Sequence, residues 1–318
     1  KVNFCKFTNE TRNGIEDAAD FSGIRFLAAI NGACAGGGYE LALACEHIML
    51  IDDGSSTVSL PELPLLAVLP GTGGLTRLVD KRKVRHDRAD YFCTTSEGIR
   101  GKRATDWDLV DEVIPRSKFD ETVLARATEF AAVTDRPLDA KGVELTPLNR
   151  NIEKDRITYD TLSIDFQRDL SLATITIFAP NTPPPLDVAG IEEEGPGFWP
   201  LAMTRDLEDA LLELRVNEED IGTWVFKTEG NPDLVRDAEK PLLDNADHWL
   251  AREILLFMKR TFKRIDVSSR SIITLVEPGS CFVGTLLELV FAADRSFMLE
   301  GTFENSNIAA AEIVLTDM

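Results

Sequence analysis

The sequence predicts an α/β protein made of two units, in each of which a strand leads through a turn into a helix. An apolar run at residues 26–30 is followed by a glycine-rich turn and a second apolar run at residues 41–50. Residues 272–294 repeat this order after a shift of 248 positions, which carries Gly36 onto Gly284. The length of 318 residues is sufficient for two hydrophobic cores.

The first unit contains a triple-glycine turn, Gly36–Gly38, with Glu40 in the helical turn that follows. A helix that begins there has unpaired backbone N–H groups at the positive end of its dipole, and glycine lets an oxygen atom approach closely. The turn lacks the sequence of a phosphate loop or a dinucleotide site. It indicates a site for a charge that develops during reaction, such as a thioester enolate oxygen. The alternative is a turn that only packs the helix tightly on the strand.

Two glutamates suit such a site. Glu40 follows the glycine turn, and Glu62 follows a short apolar run and a proline. Adding or removing water beside a thioester requires one carboxylate that accepts a proton and one carboxylic acid that donates one. Two carboxyl groups in one apolar pocket separate their pKa values, so one is ionised while the other stays protonated. The alternatives are a first-turn residue that complements the helix dipole for Glu40 and a surface charge for Glu62.

Four motifs occur in a fixed order: Ala-Ile-Asn-Gly, Gly-Gly-Gly-x-Glu-Leu-Ala, Pro-Glu and Leu-Pro-Gly-x-Gly-Gly. This set resembles the crotonase superfamily, which includes the enoyl-CoA hydratases and isomerases. The resemblance implies a crotonase-like ββα-spiral fold. It also implies that the N–H of Gly37 lies in an oxyanion hole, that Gly36 and Gly38 adjoin the substrate, and that two glutamates act as acid and base. Those glutamates are Glu40 and Glu62.

The opening segment, residues 2–10, is similar to the segment just after a strand that carries the second oxyanion donor in that superfamily. It begins with the Phe-Cys of a Phe-Cys-Ala-Gly-Ala-Asp pattern and has Phe7 in place of the glycine. The resemblance implies that the Thr8 N–H partners Gly37, that Phe7 contacts substrate, and that the Cys5 thiol assists in the pocket. A buried, inert thiol is the alternative for this cysteine.

The second unit is interpreted as a degenerate copy. The shift of 248 positions places Thr285 on Gly37, so the small residue of the oxyanion position is lost. Such a copy would serve as scaffold and dimer surface. The tandem resembles superfamily members that open an oxygenated benzoyl-CoA with two waters, which gives an aliphatic semialdehyde thioester and formate. A plain enoyl-CoA hydratase or isomerase, and a non-catalytic thioester-binding scaffold, are the alternatives.

The predicted domains are a catalytic unit with a helical trailer at residues 1–170, a linker-like loop at 171–200, and the second unit at 201–318. The loop is predicted from its prolines and glycines. The chain is expected to be truncated at both ends, because residue 1 enters what should be a strand in the middle of a domain.

Composition limits the partners. The net charge of −20 argues against nucleic acid and anionic membranes. A basic run at residues 77–88 is either a contact for the CoA phosphates or a solvated helix face. The expected partners are therefore a CoA-thioester substrate and a second copy of the chain, in a homodimer.

Five irregularly spaced cysteines and three scattered histidines predict neither a disulfide framework nor a metal site. No apolar run reaches the roughly 18 residues of a membrane span, and no signal peptide opens the chain. We expect a cytoplasmic protein without a cofactor, since CoA is part of the substrate.

Overall fold

The computed structural model describes residues 2–133, 139, 141–304 and 307–315, with side chains from residue 8 onward. The chain divides into two compact units, Lys1–Leu138 and Asp139–Met318.

The first unit alternates helices with short strands. Its helices are α1 (Val2–Phe21), α2 (Gly37–Ala44), α3 (Glu62–Leu66), α4 (Gly74–Thr76), α5 (His86–Thr94), α6 (Lys102–Asp106) and α7 (Phe119–Ala132). Its strands are β1 (Leu27–Ile30), β2 (Ala33–Ala35), β3 (His47–Asp52), β4 (Thr57–Ser59) and β5 (Glu112–Pro115). A parallel sheet has the order β1-β3-β5, and β2 pairs in parallel with β4.

The pairing of β2 with β4 positions the site of the first unit. Ala35 is opposite Ser59 in the register, so the turns that follow the two strands start side by side. Helix α2 then packs its buried face on the core, where Tyr39 and Phe92 meet edge to face at 5.7 Å. The Tyr39 hydroxyl donates to the carbonyl oxygen of Leu109 at 2.7 Å, which satisfies the one polar atom of this ring.

The opening segment is the helix Val2–Phe21, so the strand expected at the start of the chain is wrong. Polar residues at positions 9, 12, 13 and 16 recur at the spacing of one helix face. Each of them contacts a polar group of the same unit. This tertiary pairing of one face explains why α1 forms where the resemblance implied a strand.

The second unit is built on a seven-stranded sheet in the order β12-β11-β10-β9-β8-β7-β6. Its strands are β6 (Asn151–Ile152), β7 (Arg156–Thr158), β8 (Leu162–Gln167), β9 (Leu172–Phe178), β10 (Thr223–Glu229), β11 (Ser271–Val276) and β12 (Arg295–Met298). Its helices are α8 (Val188–Glu194), α9 (Trp199–Val216), α10 (Pro232–Asp244), α11 (Trp249–Asp266) and α12 (Glu288–Ala292). Strands β9 to β12 are parallel, whereas β6 to β9 pair antiparallel.

The strand that the repeat predicts at the start of residues 272–294 is present as β11. The domain boundary differs from the predicted one: the units divide after Leu138, and residues 151–178 form four strands of the second sheet. Within the described residues, α7 is the α-helix of the predicted helical trailer, and the alternating apolar residues after it belong to strands. The predicted loop at 171–200 contains β9 and α8.

Candidate active site of the first unit

The glycine turn after β2 has a backbone that requires glycine. Gly36 has φ of 55° and ψ of −125°, a conformation that side chains disfavour. Its N–H donates to the carbonyl oxygen of Ser59 at 2.9 Å, which joins the turn to the end of β4. Helix α2 begins at the next residue, so the N–H of Gly37 has no acceptor inside its own helix. The predicted oxyanion donor thus lies at a helix N-terminus.

Glu40 is fully buried one helical turn later and is surrounded by donors. Arg12 on α1 places Nη2 3.0 Å from its Oε2, and the hydroxyl of Thr72 donates to the same oxygen. The N–H of Gly74 donates to Oε1 at 3.1 Å. A cation and two further donors thus surround this carboxyl group. Glu40 is therefore a buried carboxyl group whose two oxygens are both engaged by neighbouring groups.

The Leu-Pro-Gly-Thr-Gly-Gly turn at residues 69–74 closes over this carboxylate. A Cβ on Gly74 would stand 2.7 Å from Oε1 of Glu40, so the donated hydrogen bond requires glycine there. Gly73 has φ of 98° and leads the chain into α4. The glycine motif at residues 69–74 therefore forms one wall around Glu40.

Glu62 is the first residue of α3 and comes from the turn after β4. Its Oε1 lies 3.0 Å from the position that a Cβ on Gly36 would occupy. Its Oε2 is buried and has no hydrogen-bond partner among the described residues. Burial raises the pKa of Glu62, and the negative charge of Glu40 raises it further. Glu62 is thus the carboxyl group of this site that is free to exchange a proton.

Two thiols lie near the glycine turn. The Sγ of Cys34 lies 3.8 Å from the place of a Cβ on Gly38. Burial raises the pKa of Cys34, and burial together with Glu62 raises the pKa of Cys93 to about 11. Both groups therefore remain neutral thiols near pH 7.

The structure brings four of the predicted residues together: Gly36, Gly37, Glu40 and Glu62. Gly38 lies in the first turn of α2, beside them.

The prediction for Thr8 is wrong. It lies inside α1, where its N–H donates to a carbonyl oxygen one turn earlier in the helix, so it is unavailable as a second oxyanion donor. The side chains of Cys5 and Phe7 lie outside the described residues.

Sequence reasoning missed Arg12. Its guanidinium links Glu40 to the glycine turn, since Nη2 also donates to the carbonyl oxygen of Gly37 at 3.1 Å. Burial lowers the pKa of Arg12, whereas the charge of Glu40 raises it. The helical spacing of the polar residues in the opening segment was the available signal, because it places Arg12 and Glu16 on one face.

The basic run at residues 77–88 pairs mainly with acidic groups of its own unit. Arg77 donates to both oxygens of Glu16, at 2.9 and 2.7 Å, and Arg82 binds Asp111 at 2.9 Å. Arg85 pairs with Asp87 at 2.5 Å. These contacts favour the interpretation as a paired surface over that of a phosphate contact.

Within the described part of the chain, His, Cys, Asp and Glu form no group of three or more that could hold a metal ion. None of the described helices is long and apolar enough to cross a bilayer.

Residues 12–162 match the enoyl-CoA hydratase/isomerase family. A benzoyl-CoA-dihydrodiol lyase from Aromatoleum evansii is 55% identical over 300 residues, which are 94% of this chain and 54% of that protein. A fatty acid oxidation complex subunit alpha from Shewanella amazonensis is 36% identical over 48% of this chain and 22% of that protein. A solved enoyl-CoA hydratase from Bacillus anthracis is 30% identical over 40% of this chain and 46% of its own, with a TM-score of 0.36.

The chain thus spans about half the length of the lyase it matches. The family match covers the glycine turn and both glutamates. The region that builds this site therefore matches the enoyl-CoA hydratase/isomerase family.

Proposed function

We propose that the protein is a lyase of aerobic benzoate catabolism that opens the ring of 2,3-epoxybenzoyl-CoA. Two waters are consumed, and the products are a six-carbon semialdehyde CoA thioester and formate. The similarity to a benzoyl-CoA-dihydrodiol lyase over 94% of the chain supports this substrate class. One structural observation carries the proposal: a buried glutamate paired with an arginine and a second glutamate with a raised pKa border one helix N-terminus.

The two glutamates take different roles in the proposed reaction. Glu62, with one buried oxygen that has no partner among the described residues, carries protons between water and the ring. Glu40 is already engaged by Arg12 and the turn, so it orients water and balances charge. The N–H of Gly37 would hold the thioester oxygen as negative charge develops on it.

The glycines make this approach possible. Gly36 and Gly38 present no side chain beyond Cα, so an acyl group can lie against the backbone of the turn. The second oxyanion donor has no assigned residue, because Thr8 is inside α1. Cys5 and Phe7 keep their predicted roles as proposals. A separate cofactor has no part in the proposed chemistry, and the homodimer and the cytoplasmic location also stay predictions.

The second unit supports the interpretation that the chain contains two related units in tandem. The shift of 248 positions carries α1 (Val2–Phe21) onto α11 (Trp249–Asp266), and Gly284 has the same φ of 55° as Gly36. The order of helix, strand, glycine turn, helix and parallel strand recurs, since β11 pairs in parallel with β12 as β1 does with β3. We interpret the second unit as a crotonase-like copy.

In the degenerate copy, a glutamate side chain occupies the position equivalent to the oxyanion site. The carboxylate of Glu239 accepts the N–H of Thr285 at 3.0 and 3.2 Å, at the position equivalent to Gly37. A Cβ on Gly284 would collide with this carboxylate. The place where a thioester oxygen would bind is therefore filled by a side chain, which favours a structural role for the second unit.

An enoyl-CoA hydratase or isomerase is the second candidate, favoured by the family match alone. Turnover of 2,3-epoxybenzoyl-CoA against crotonyl-CoA distinguishes the two. We expect formate release from the epoxide and a kcat/KM for crotonyl-CoA lower by at least about 100-fold. Equal or faster hydration of crotonyl-CoA contradicts the lyase proposal.

A non-catalytic thioester-binding scaffold is the remaining alternative. Single Glu40→Gln and Glu62→Gln variants test it, because a scaffold has no turnover to lose. We expect both variants to lose formate release while binding of benzoyl-CoA changes by less than about threefold. Absence of formate release from the wild-type protein, with benzoyl-CoA still bound, favours the scaffold.

A further inference from the structure

Arg12 is a buried cation with unused donors. It is 5% exposed, and its Nη2 donates to the carbonyl oxygen of Gly37 at 3.1 Å and lies 3.0 Å from Oε2 of Glu40. Its Nε and Nη1 are also buried, yet neither has a hydrogen-bond partner among the described residues. Arginine cannot lose its charge in this setting, so three N–H bonds point at no acceptor within the described part of the chain.

Leaving these N–H donors without hydrogen-bond acceptors lowers the stability of the protein. A buried donor without an acceptor costs about 1–3 kcal/mol, and more when the group is charged. The neighbouring Arg77 shows the usual solution, because its Nε, Nη1 and Nη2 donate to Glu16, Asn9 and Asn13. The contrast between two buried arginines of one unit indicates that Arg12 keeps donors for an acceptor that arrives from outside.

The geometry places those donors in the site. The guanidinium is planar, so Nε and Nη1 adjoin the nitrogen that contacts Gly37 and Glu40. The nearest atom to a Cβ built on Gly37 is Nη2, at 3.6 Å. An acyl group held at the N–H of Gly37 would therefore lie close to the unused donors.

Charge identifies the class of acceptor. Glu40 pairs with Arg12 at 3.0 Å, so the guanidinium carries no unbalanced charge that would attract a phosphate. Donation from a guanidinium whose charge is already paired suits an uncharged oxygen, such as an epoxide, hydroxyl or carbonyl oxygen.

We propose that Arg12 is a substrate-binding residue that donates, through Nε and Nη1, to an oxygen atom carried by the ring of the acyl group. The residue would thus select oxygenated aryl-CoA thioesters over unsubstituted ones. This inference rests on the proposed function for its substrate class.

The test compares ligands with and without a ring oxygen. Arg12→Lys keeps a cation beside Glu40 but removes the fork of donors. In the full protein we expect kcat/KM for 2,3-epoxybenzoyl-CoA to fall between about 10-fold and 100-fold. The dissociation constant of benzoyl-CoA, measured by calorimetry, should change by less than about threefold. Arg82→Lys is the matched control, because Arg82 is partly buried and paired with Asp111, so the change should leave both values near wild type.

A structure of the wild-type protein with 2-hydroxybenzoyl-CoA needs no variant. We expect the hydroxyl oxygen about 2.7–3.2 Å from Nε or Nη1 of Arg12. The inference is overturned if a main-chain carbonyl or a water holds both nitrogens and the hydroxyl lies elsewhere, or if Arg12→Lys weakens both ligands equally. Failure of wild-type turnover would instead count against the proposed function, since the ligand structure tests Arg12 without it.

Discussion

The Cα of Gly36 faces the carboxylate of Glu62, with only 3.0 Å between Oε1 and the position of a missing Cβ. The same residue has φ of 55° and hydrogen-bonds to the end of β4. The glycine therefore serves two needs at once: it forms the left-handed turn, and it leaves room for the carboxyl group that we propose as the proton carrier.

Gly36→Ala, compared with a control variant, should distinguish the effect of backbone strain from that of the contact with Glu62. An alanine at φ of 55° and ψ of −125° costs about 1–3 kcal/mol, and its Cβ would also displace the Glu62 carboxylate. We expect lower unfolding free energy together with a loss of turnover of at least about 10-fold. Gly54→Ala is the control, since Gly54 has φ of 77° and nothing within 4 Å of a Cβ. If both variants lose stability and keep full activity, Gly36 does not shape the site.

Glu62→Gln should abolish the proton transfer. A positioned acid or base contributes about 100-fold to 10,000-fold, so we expect a loss of that size in kcat. Because burial and Glu40 raise the pKa of Glu62, the activity of the wild type should change with pH above the ordinary range of a glutamate. The variant should lose this limb of the pH profile. Glu97→Gln, at an exposed position, is the control. If Glu62→Gln keeps the same pH dependence of activity as the wild type, another group causes that dependence.

Gly74→Ala tests the wall around Glu40. Its Cβ would stand 2.7 Å from Oε1, so the turn must move and the N–H···carboxylate hydrogen bond must lengthen. We expect kcat to fall by about 10-fold or more while the protein stays folded, as measured by circular dichroism and steady-state kinetics. Gly71→Ala in the same turn has its nearest contact at 3.7 Å and should behave as wild type. Equal activity of the two variants would show that the turn does not hold Glu40 in place.

The sequence predicted the part of the site that local patterns encode. A triple-glycine turn between apolar runs predicts a strand that leads into a helix, and Gly36, Gly37 and Glu40 follow from it. Glu62 was also predicted, although its closeness to Gly36 depends on the pairing of β2 with β4.

The remainder depends on contacts between distant residues. Arg12 reaches Glu40 only because residues 2–21 form a helix whose polar face pairs with groups from residues 37–81. No local sequence pattern predicts such pairing. The opening segment was therefore assigned from its Phe-Cys dipeptide and not from the helical spacing of its polar residues. The strands at residues 151–178 were missed for a similar reason, since they are defined by the long sheet that they join.

Glu239 should make the stability of the protein depend on pH. Burial raises the pKa of this carboxyl group to about 7 from an ordinary 4.5, so the folded state binds a proton that the unfolded state has lost. The resulting stabilisation is fully present below pH 4.5 and disappears as the pH rises through 7. For a group that is 2% exposed, we expect a loss of about 2–3 kcal/mol in unfolding free energy between pH 5 and pH 8. Urea unfolding of Glu239→Gln should lack this loss, whereas Glu288→Gln, at an exposed position, should retain it. The same slope in wild type and Glu239→Gln would mean that the carboxylate at Thr285 is ionised at no cost, and that its hydrogen bonds compensate fully for burial.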